Sequence, residues 1–303
     1  MSEDLILDVK DSIDLHVHPG PSLFQRPWDD VETAKIARNW GMAAILLKDH
    51  FENTASRAYH TARQVPDIKV FGGIVLNRYV GGLNPVVAET ALGMGAKAIW
   101  MPTIDSARHV EACGSTATYA IKGDIRGPKA ASKVIERLST KEGLSILEGG
   151  KLRADVKEIV KLTCEYNAIL CSGHLFKNEI FELIKFAKSV KHNKVVVTHA
   201  TSKRFAGLTK EEIKELCNLG CFTELCATHI GPPIYATTPE AVKQVIDFCG
   251  ADRFIISSDS GMASVPCGPE AIRVFSQCLY EKGAKLSDLK IMMIENPKEL
   301  LSL

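Results

Sequence analysis

Along the chain, short apolar runs of strand length alternate with longer amphipathic stretches, the pattern of β-α units repeated around a parallel sheet. Eight such runs stand out: Ser12 to His18, Met42 to Lys48, Lys69 to Asn77, Ala96 to Met101, Ala168 to Ser172, Lys194 to His199, Cys221 to Cys226 and Arg253 to Asp259. The stretches between them predict helices over Asp29 to Trp40, Thr54 to Gln64, Pro85 to Met94, Ala154 to Tyr166, Glu179 to Val190, Lys210 to Leu219, Pro239 to Phe248 and Pro269 to Glu281. Asn84 before Pro85, Thr209 with Glu212, and Thr238 before Pro239 and Glu240 mark helix starts, and Gly41, Gly95, Gly220 and Gly250 mark helix ends. The expected fold is α/β, a (β/α)8 TIM barrel with an inserted segment between strands four and five.

That insertion, Pro102 to Arg153, is far longer than an ordinary connection and suggests a lid or a functional role. It comprises Pro102 to Lys129, a helix over Ala130 to Leu138, and Leu144 to Arg153, where Gly149-Gly150 turns a small hairpin. Beyond Leu286 the pattern gives short closing helices, with Pro297 near the start of the last. Gly72-Gly73 and Gly81-Gly82 lack the spacing of phosphate-cradling loops and read as turn glycines.

Composition narrows this without redirecting it. A chain of 303 residues, 46% hydrophobic, builds one large core, so residues 1–303 are expected to form a single domain. Lys and Arg number 37 against 36 Asp and Glu, for a net charge of +1. That balance gives no general attraction to nucleic acid or anionic membrane, and favours a small-molecule substrate. The N-terminal residues lack a basic segment followed by an apolar run, and no apolar stretch reaches bilayer length, so a cytoplasmic location is expected and a homo-oligomer is left open. Nine cysteines without a close pair read as reduced thiols, and Cys217, Cys221 and Cys226 read as core packing with no chemistry.

The candidate chemistry lies at the strand ends. His16 and His18 are two apart on the first run, so both side chains project to one face and can converge on an ion; Asp14 takes the same face one step deeper, and Pro19 and Gly20 end the strand. Alone, this pair is a weak signal. Yet the fifth and sixth runs finish in His174 and His199, and the eighth in Asp259. A parallel barrel gathers all strand C-termini on one rim, where these side chains meet.

This order of H-x-H, His, His and Asp resembles the amidohydrolase superfamily of metal-dependent hydrolases, over nearly the whole chain. The segment Asn296-Pro297-Lys298-Glu299-Leu300-Leu301 is similar to its C-terminal region as well. The resemblance implies one or two divalent ions held by His16, His18, His174, His199 and Asp259, with zinc expected and manganese, iron or nickel as alternatives. Binuclear members carry a bridging carboxylated lysine or glutamate at the end of strand four, whereas this chain has Ala98-Ile99-Trp100-Met101-Pro102 there. Lys48, which shares a face with His50 at the end of strand two, is a displaced bridge, a substrate-binding cation or a rim lysine; Glu148 is the alternative carboxylate or a solvated turn residue. One ion and two ions both stay open.

The expected mechanism is hydrolysis of an amide, lactam, lactone or ester by metal-activated water, with Asp259 as proton acceptor and, in a single-metal site, His199 contacting the substrate oxygen instead of ligating. Lys48 joins them as a catalytic candidate. Arg78, His50, Glu224 and His229 are the substrate-binding candidates, with Arg26 and His109 also near the rim; His60 and His192 read as background. Glu224 sits inside an apolar strand and must face the polar interior or pair with a cation. The rivals are a phosphoesterase of the polymerase-and-histidinol-phosphatase type, suggested by Asp49-His50 but lacking its closing D-x-H, a metal-dependent decarboxylase, and a barrel that binds metal without catalysis.

Overall fold

A computed structural model describes residues 6–119 and 129–303. The strands are β1 (Ile13–Val17), β2 (Ala44–Leu47), β3 (Lys69–Val75), β4 (Ala98–Trp100), β5 (Leu147–Glu148), β6 (Lys151–Leu152), β7 (Ile169–Cys171), β8 (Val195–Val197), β9 (Phe222–Cys226) and β10 (Phe254–Ser257). Eight of them form one sheet in the order β1-β2-β3-β4-β7-β8-β9-β10, and each neighbouring pair is parallel. The ends of that sheet meet. Val17 bridges Ser260, the Asp259 N–H donates to the His16 carbonyl at 2.8 Å, and the His18 N–H donates to the Ser260 carbonyl at 2.8 Å. The expected (β/α)8 barrel with its insertion is the architecture observed.

Helices follow the strands within a residue or two of the predicted bounds, from Asp30–Asn39 after β1 to Gly268–Glu281 after β10. The foreseen caps form: Asn84 accepts from the Val86 N–H, Thr238 from the Ala241 N–H, and Thr209 closes a capping box with Glu212. Alternate residues along the strands split into two apolar layers. Leu46, Val75, Trp100, Ile169, Phe222 and Ile255 fill the barrel, whereas Ile45, Leu47, Ile74, Ile99, Leu170 and Ile256 pack under the helices. Leu300 and Leu301 join the inner layer. The Asn296 amide donates to the carbonyls of Ala251 and Phe254 at the start of β10, so this segment closes the barrel at the strands' N-terminal end. The opposite end alone is left for a ligand.

Gly72 and Gly73 lie within β3 and are not turn residues. A Cβ on Gly72 meets the Thr54 backbone, and one on Gly73 meets the Ala98 carbonyl, so both mark close approach of neighbouring chain.

The insertion carries helices at Ala107–Cys113 and Lys129–Leu138, and then the β5–β6 hairpin turned by Gly149 and Gly150 at φ 55° and 76°. The first of these helices, only two turns long, is too short for its periodicity to stand out in the sequence. Part of the connection expected over Pro102 to Lys129 lies outside the described residues. Ile104, Ala117 and Ile135 form a small core with Phe24, seating the insertion against the loop after β1. No helix among the described residues is long and apolar enough to cross a membrane.

Candidate functional site

The seam between β10 and β1 builds one flank of the site. Strict alternation on β1 would send His16 away from the barrel interior, because Ile13 and Leu15 both belong to the inner layer. A bulge between Asp14 and Val17 adds the residue that turns His16 inward and Val17 outward. Asp14 therefore does not share the histidines' face, contrary to expectation. Its Oδ1 instead accepts from the His16 N–H at 3.1 Å and the Ser258 N–H at 2.9 Å, pinning the bulge to β10. Burial lifts the Asp14 pKa to about 6 despite these bonds.

His16 is thereby fixed at both nitrogens. Nδ1 donates to Glu224 Oε1 at 3.0 Å, which leaves the Nε2 lone pair directed at the cavity. Around that Nε2 stand His18 Nε2 at 3.2 Å, Asp259 Oδ1 at 3.0 Å and Lys48 Nζ at 2.9 Å, and Asp259 Oδ1 is also 3.3 Å from His18 Nε2. Two imidazole nitrogens this close need a proton or a metal cation between their lone pairs. Burial and the Lys48 ammonium oppose protonation of His16, yet Glu224 and Asp259 prevail and raise its pKa to about 9. Glu224 itself, against burial, is brought down to about 2 by His16. The cluster demands positive charge, and an imidazole–carboxylate set at these spacings fits a divalent ion held at roughly 2.0–2.2 Å.

The opposite flank comes from β7 and β8. Gly173, at φ 64°, passes so close to the Met101 carbonyl that no Cβ fits, and the His174 N–H donates to the Pro102 carbonyl at 3.0 Å. His109, from the unforeseen helix, backs His174. A carbonyl only accepts, so His109 Nε2 donates to Thr118 O at 2.5 Å; neutral His109 then accepts at Nδ1 from His174 Nδ1, 3.1 Å away. His174 Nε2 is left with its lone pair. Its ring lies 5.1 Å from that of His199, whose Nδ1 is 3.1 Å from Cys226 Sγ. His199 and Asp259 both hold left-handed backbone, at φ 54° and 52°, a cost that residues with a Cβ bear mainly at functional sites.

Between the flanks lies a cavity of ≈ 530 Å³ at the strands' C-terminal end. His18, Lys48, His174, His199, His229 and Asp259 line it, so most of the expected residues do converge. His229 is buried with both ring nitrogens unpartnered, and its Nε2 is 3.8 Å from Asp259 Oδ2. Lys48 is 1% exposed and stands over the Trp100 ring, which excludes the rim-lysine reading; burial lowers its pKa. His50 lines the cavity with its ring only: Nδ1 meets Thr103 Oγ1 at 2.9 Å and Nε2 meets the Tyr119 hydroxyl at 2.7 Å.

Two expectations do not hold in space, those for Glu224 and Arg78 as substrate-binding residues, while Glu148 follows its solvated-turn reading. Glu224 lies behind His16, orients it and is not among the cavity-lining residues. Arg78 is committed to the buried Asp105, with Nη2 to Oδ1 at 2.6 Å, and to Thr140 and the Glu142 carbonyl, away from the cavity. Glu148 is an exposed hairpin residue paired with Lys151 in the β5–β6 ladder. Cys226, read as packing, instead clusters with His199, His229 and Asp259, and its parity with Glu224 on β9 was the available signal. Tyr119 and Arg204, both lining the cavity, carry no motif that would have announced them.

No curated protein matches the chain. Among solved structures, an amidohydrolase from Pseudomonas aeruginosa aligns at TM-score 0.64 and 12% identity, covering 97% of this chain and 98% of that one. A mutant organophosphorus hydrolase from Deinococcus radiodurans aligns at 0.58 and 12%, covering 97% and 95%. The probable dipeptidase PvdM from Pseudomonas aeruginosa aligns at 0.57 and 12%, covering 96% and 94%. The resemblance to the amidohydrolase superfamily thus holds at the level of fold. A family model matches residues 11–224, the span that carries the two histidines of β1, Lys48, His174, His199 and Glu224, and the chain belongs to that family of unknown function (DUF6282).

Proposed function

We propose that this protein is a metal-dependent hydrolase acting with activated water on an ester, lactone, lactam or amide of a small molecule. The observation that carries the reading is the convergence of His16 Nε2, His18 Nε2 and Asp259 Oδ1, backed by Glu224, beneath an open cavity. His16, His18 and Asp259 would hold a first divalent ion; His174 and His199 offer lone pairs for a second, with Lys48 between the flanks as a bridge or a substrate-binding cation. A zinc ion, with manganese, iron or nickel as alternatives, would lower the pKa of a coordinated water to roughly 7 and polarise a carbonyl.

The chain's own residues supply the rest. Burial opposes ionisation of Asp259, but His16, His18 and His199 hold its carboxyl well below the usual range, so it is ready to take the proton of the attacking water and return it to the leaving group. Neutral His229, whose nitrogens form no hydrogen bond among the described residues, is placed to donate its one N–H to the substrate oxygen, and His199 stands 4.9 Å from it ring to ring. Burial keeps His18, His174 and His199 neutral, as ligation requires. The commitment of both His50 nitrogens to Thr103 and Tyr119 argues against the phosphoesterase reading of Asp49-His50.

The test is elemental analysis followed by an ester, lactone and amide panel. Near-stoichiometric transition metal and hydrolysis that disappears in Asp259→Asn are expected. Protein that neither contains metal nor regains it on reconstitution overturns the reading, and release of CO₂ from carboxylic acids in place of hydrolysis assigns the scaffold to decarboxylation.

A further inference from the structure

The arginines that support the fold have carboxylate partners: Arg57 has Asp30, Arg78 has Asp105, Arg153 has Asp155 and Arg273 has Glu270. Arg26 and Arg204 line the cavity and form no ion pair among the described residues. Each is nevertheless held in place. Arg26 donates one Nη to the Gly261 carbonyl at 3.2 Å beside the Phe24 ring, while its Nε is buried without a partner. Arg204 gives Nη2 to the Tyr119 carbonyl and to Cys113 Sγ beside the Phe205 ring, and its other nitrogens form no hydrogen bond among the described residues. Both side chains are half-buried, and the buried, unpartnered Nε of Arg26 is costly unless a ligand answers it.

Charge in the cavity points the same way. Its lining holds the cations Arg26, Lys48 and Arg204 against one carboxylate, Asp259. Lys48 is answered by Asp259 and Glu224, and Arg26 in part by Asp49, which does not line the cavity, so the excess is greatest at Arg204. The two arginines converge on one place. Arg204 donates to the Tyr119 carbonyl, and Arg26 stands over the Phe24 ring, whose centroid is 5.6 Å from that of Tyr119, so the two guanidiniums flank one lining residue. Phe205, Ile234 and Met262 supply the apolar wall of the same cavity.

We propose that Arg26 and Arg204 form an oxyanion-binding subsite, selecting small substrates that carry a carboxylate or phosphate separated by an apolar segment from the bond at the His16–His18–Asp259 end. Planar guanidiniums suit either group through paired N–H donors. The subsite stands on the cavity's own charge; only the position of the reacting bond rests on the hydrolase reading.

Calorimetric titration separates the two. Glutarate and inorganic phosphate, with neutral glutaramide as control, are titrated into protein as purified and into chelator-treated protein, for wild type, Arg26→Gln, Arg204→Gln and the charge-keeping Arg26→Lys and Arg204→Lys. At least one anion is expected to bind both wild-type forms, with affinity falling about 10-fold or more in each folded Gln variant and partly restored in the Lys variants. The anion that binds identifies the oxyanion. Absence of binding by both anions, or equal affinity in wild type and in the folded variants, overturns the subsite; should the Gln variants not fold, Lys variants that bind as wild type does overturn it too. Anion binding that depends on the arginines in a protein without hydrolytic activity leaves the subsite standing and removes the hydrolase reading. Hydrolysis of matched esters with and without a terminal carboxylate at the same KM removes the subsite alone.

Discussion

The cavity's two flanks orient their imidazoles by opposite means. On the seam, His16 is fixed between the carboxylates of Glu224 and Asp259 with Lys48 beside it, so its position is set by full charges. Across the cavity, His174 and His199 are steadied by a second imidazole and a thiol, both neutral. The seam therefore calls for a cation, whereas the far flank only offers lone pairs. On the proposed reading a first ion is expected at the seam, and a second is expected to bind more weakly.

The most severe break of that asymmetry is His16→Ala with His18→Ala, expected to abolish metal binding by elemental analysis, while His174→Ala leaves the seam ion in place. Next in size, Asp259→Asn should lower kcat by ~10³-fold with KM little changed, read in steady-state assays of metal-reconstituted protein. Acid should discriminate the flanks. Burial holds His109 at a pKa of about 4 against the ordinary 6.5, so the folded chain binds fewer protons than the unfolded chain between those values. Stability from this source is full above pH 6.5 and is lost as the pH falls toward 4, by up to about 3 kcal/mol, measurable as a shifted urea midpoint that shrinks in His109→Gln. Glu224→Gln should weaken metal affinity ~10- to 100-fold, and Cys226→Ala by less, in competition titrations with a chelator. If the two variants prove equal, charge is not what distinguishes the flanks. The smallest effect is Arg78→Gln, which should leave KM unchanged and cost ~1–3 kcal/mol in thermal or urea unfolding, because Asp105 is left buried without its partner.

Much of this was legible before any coordinates, for a physical reason. A parallel barrel writes its strands as apolar runs and collects their C-termini on one rim, so His16, His18, His174, His199 and Asp259 announced themselves by position alone. What failed was depth and partnership. Parity gave Glu224 the correct face but not its place behind His16, and Arg78 was a rim candidate until its partner Asp105, from the loop after β4, was seen in space. The β1 bulge has no local signature; it follows from Asp14 accepting two backbone N–H groups, one of them from a strand more than two hundred residues away. Tyr119 and Arg204 come from connections whose sequence encodes no periodicity.

The seam also sets a timetable. His16 and His18 are near the start of the chain, whereas Asp259 and the Leu300–Leu301 plug come from its last fifth. A ribosome exposing residues at roughly 5–20 per second therefore displays the paired histidines for many seconds before their carboxylate exists. During that interval a scavenged ion meets only an open two-point chelate, from which it readily escapes. Durable capture waits for ring closure, so loading is expected to follow the slow, long-range pairing of terminal strands and to report on it in refolding experiments.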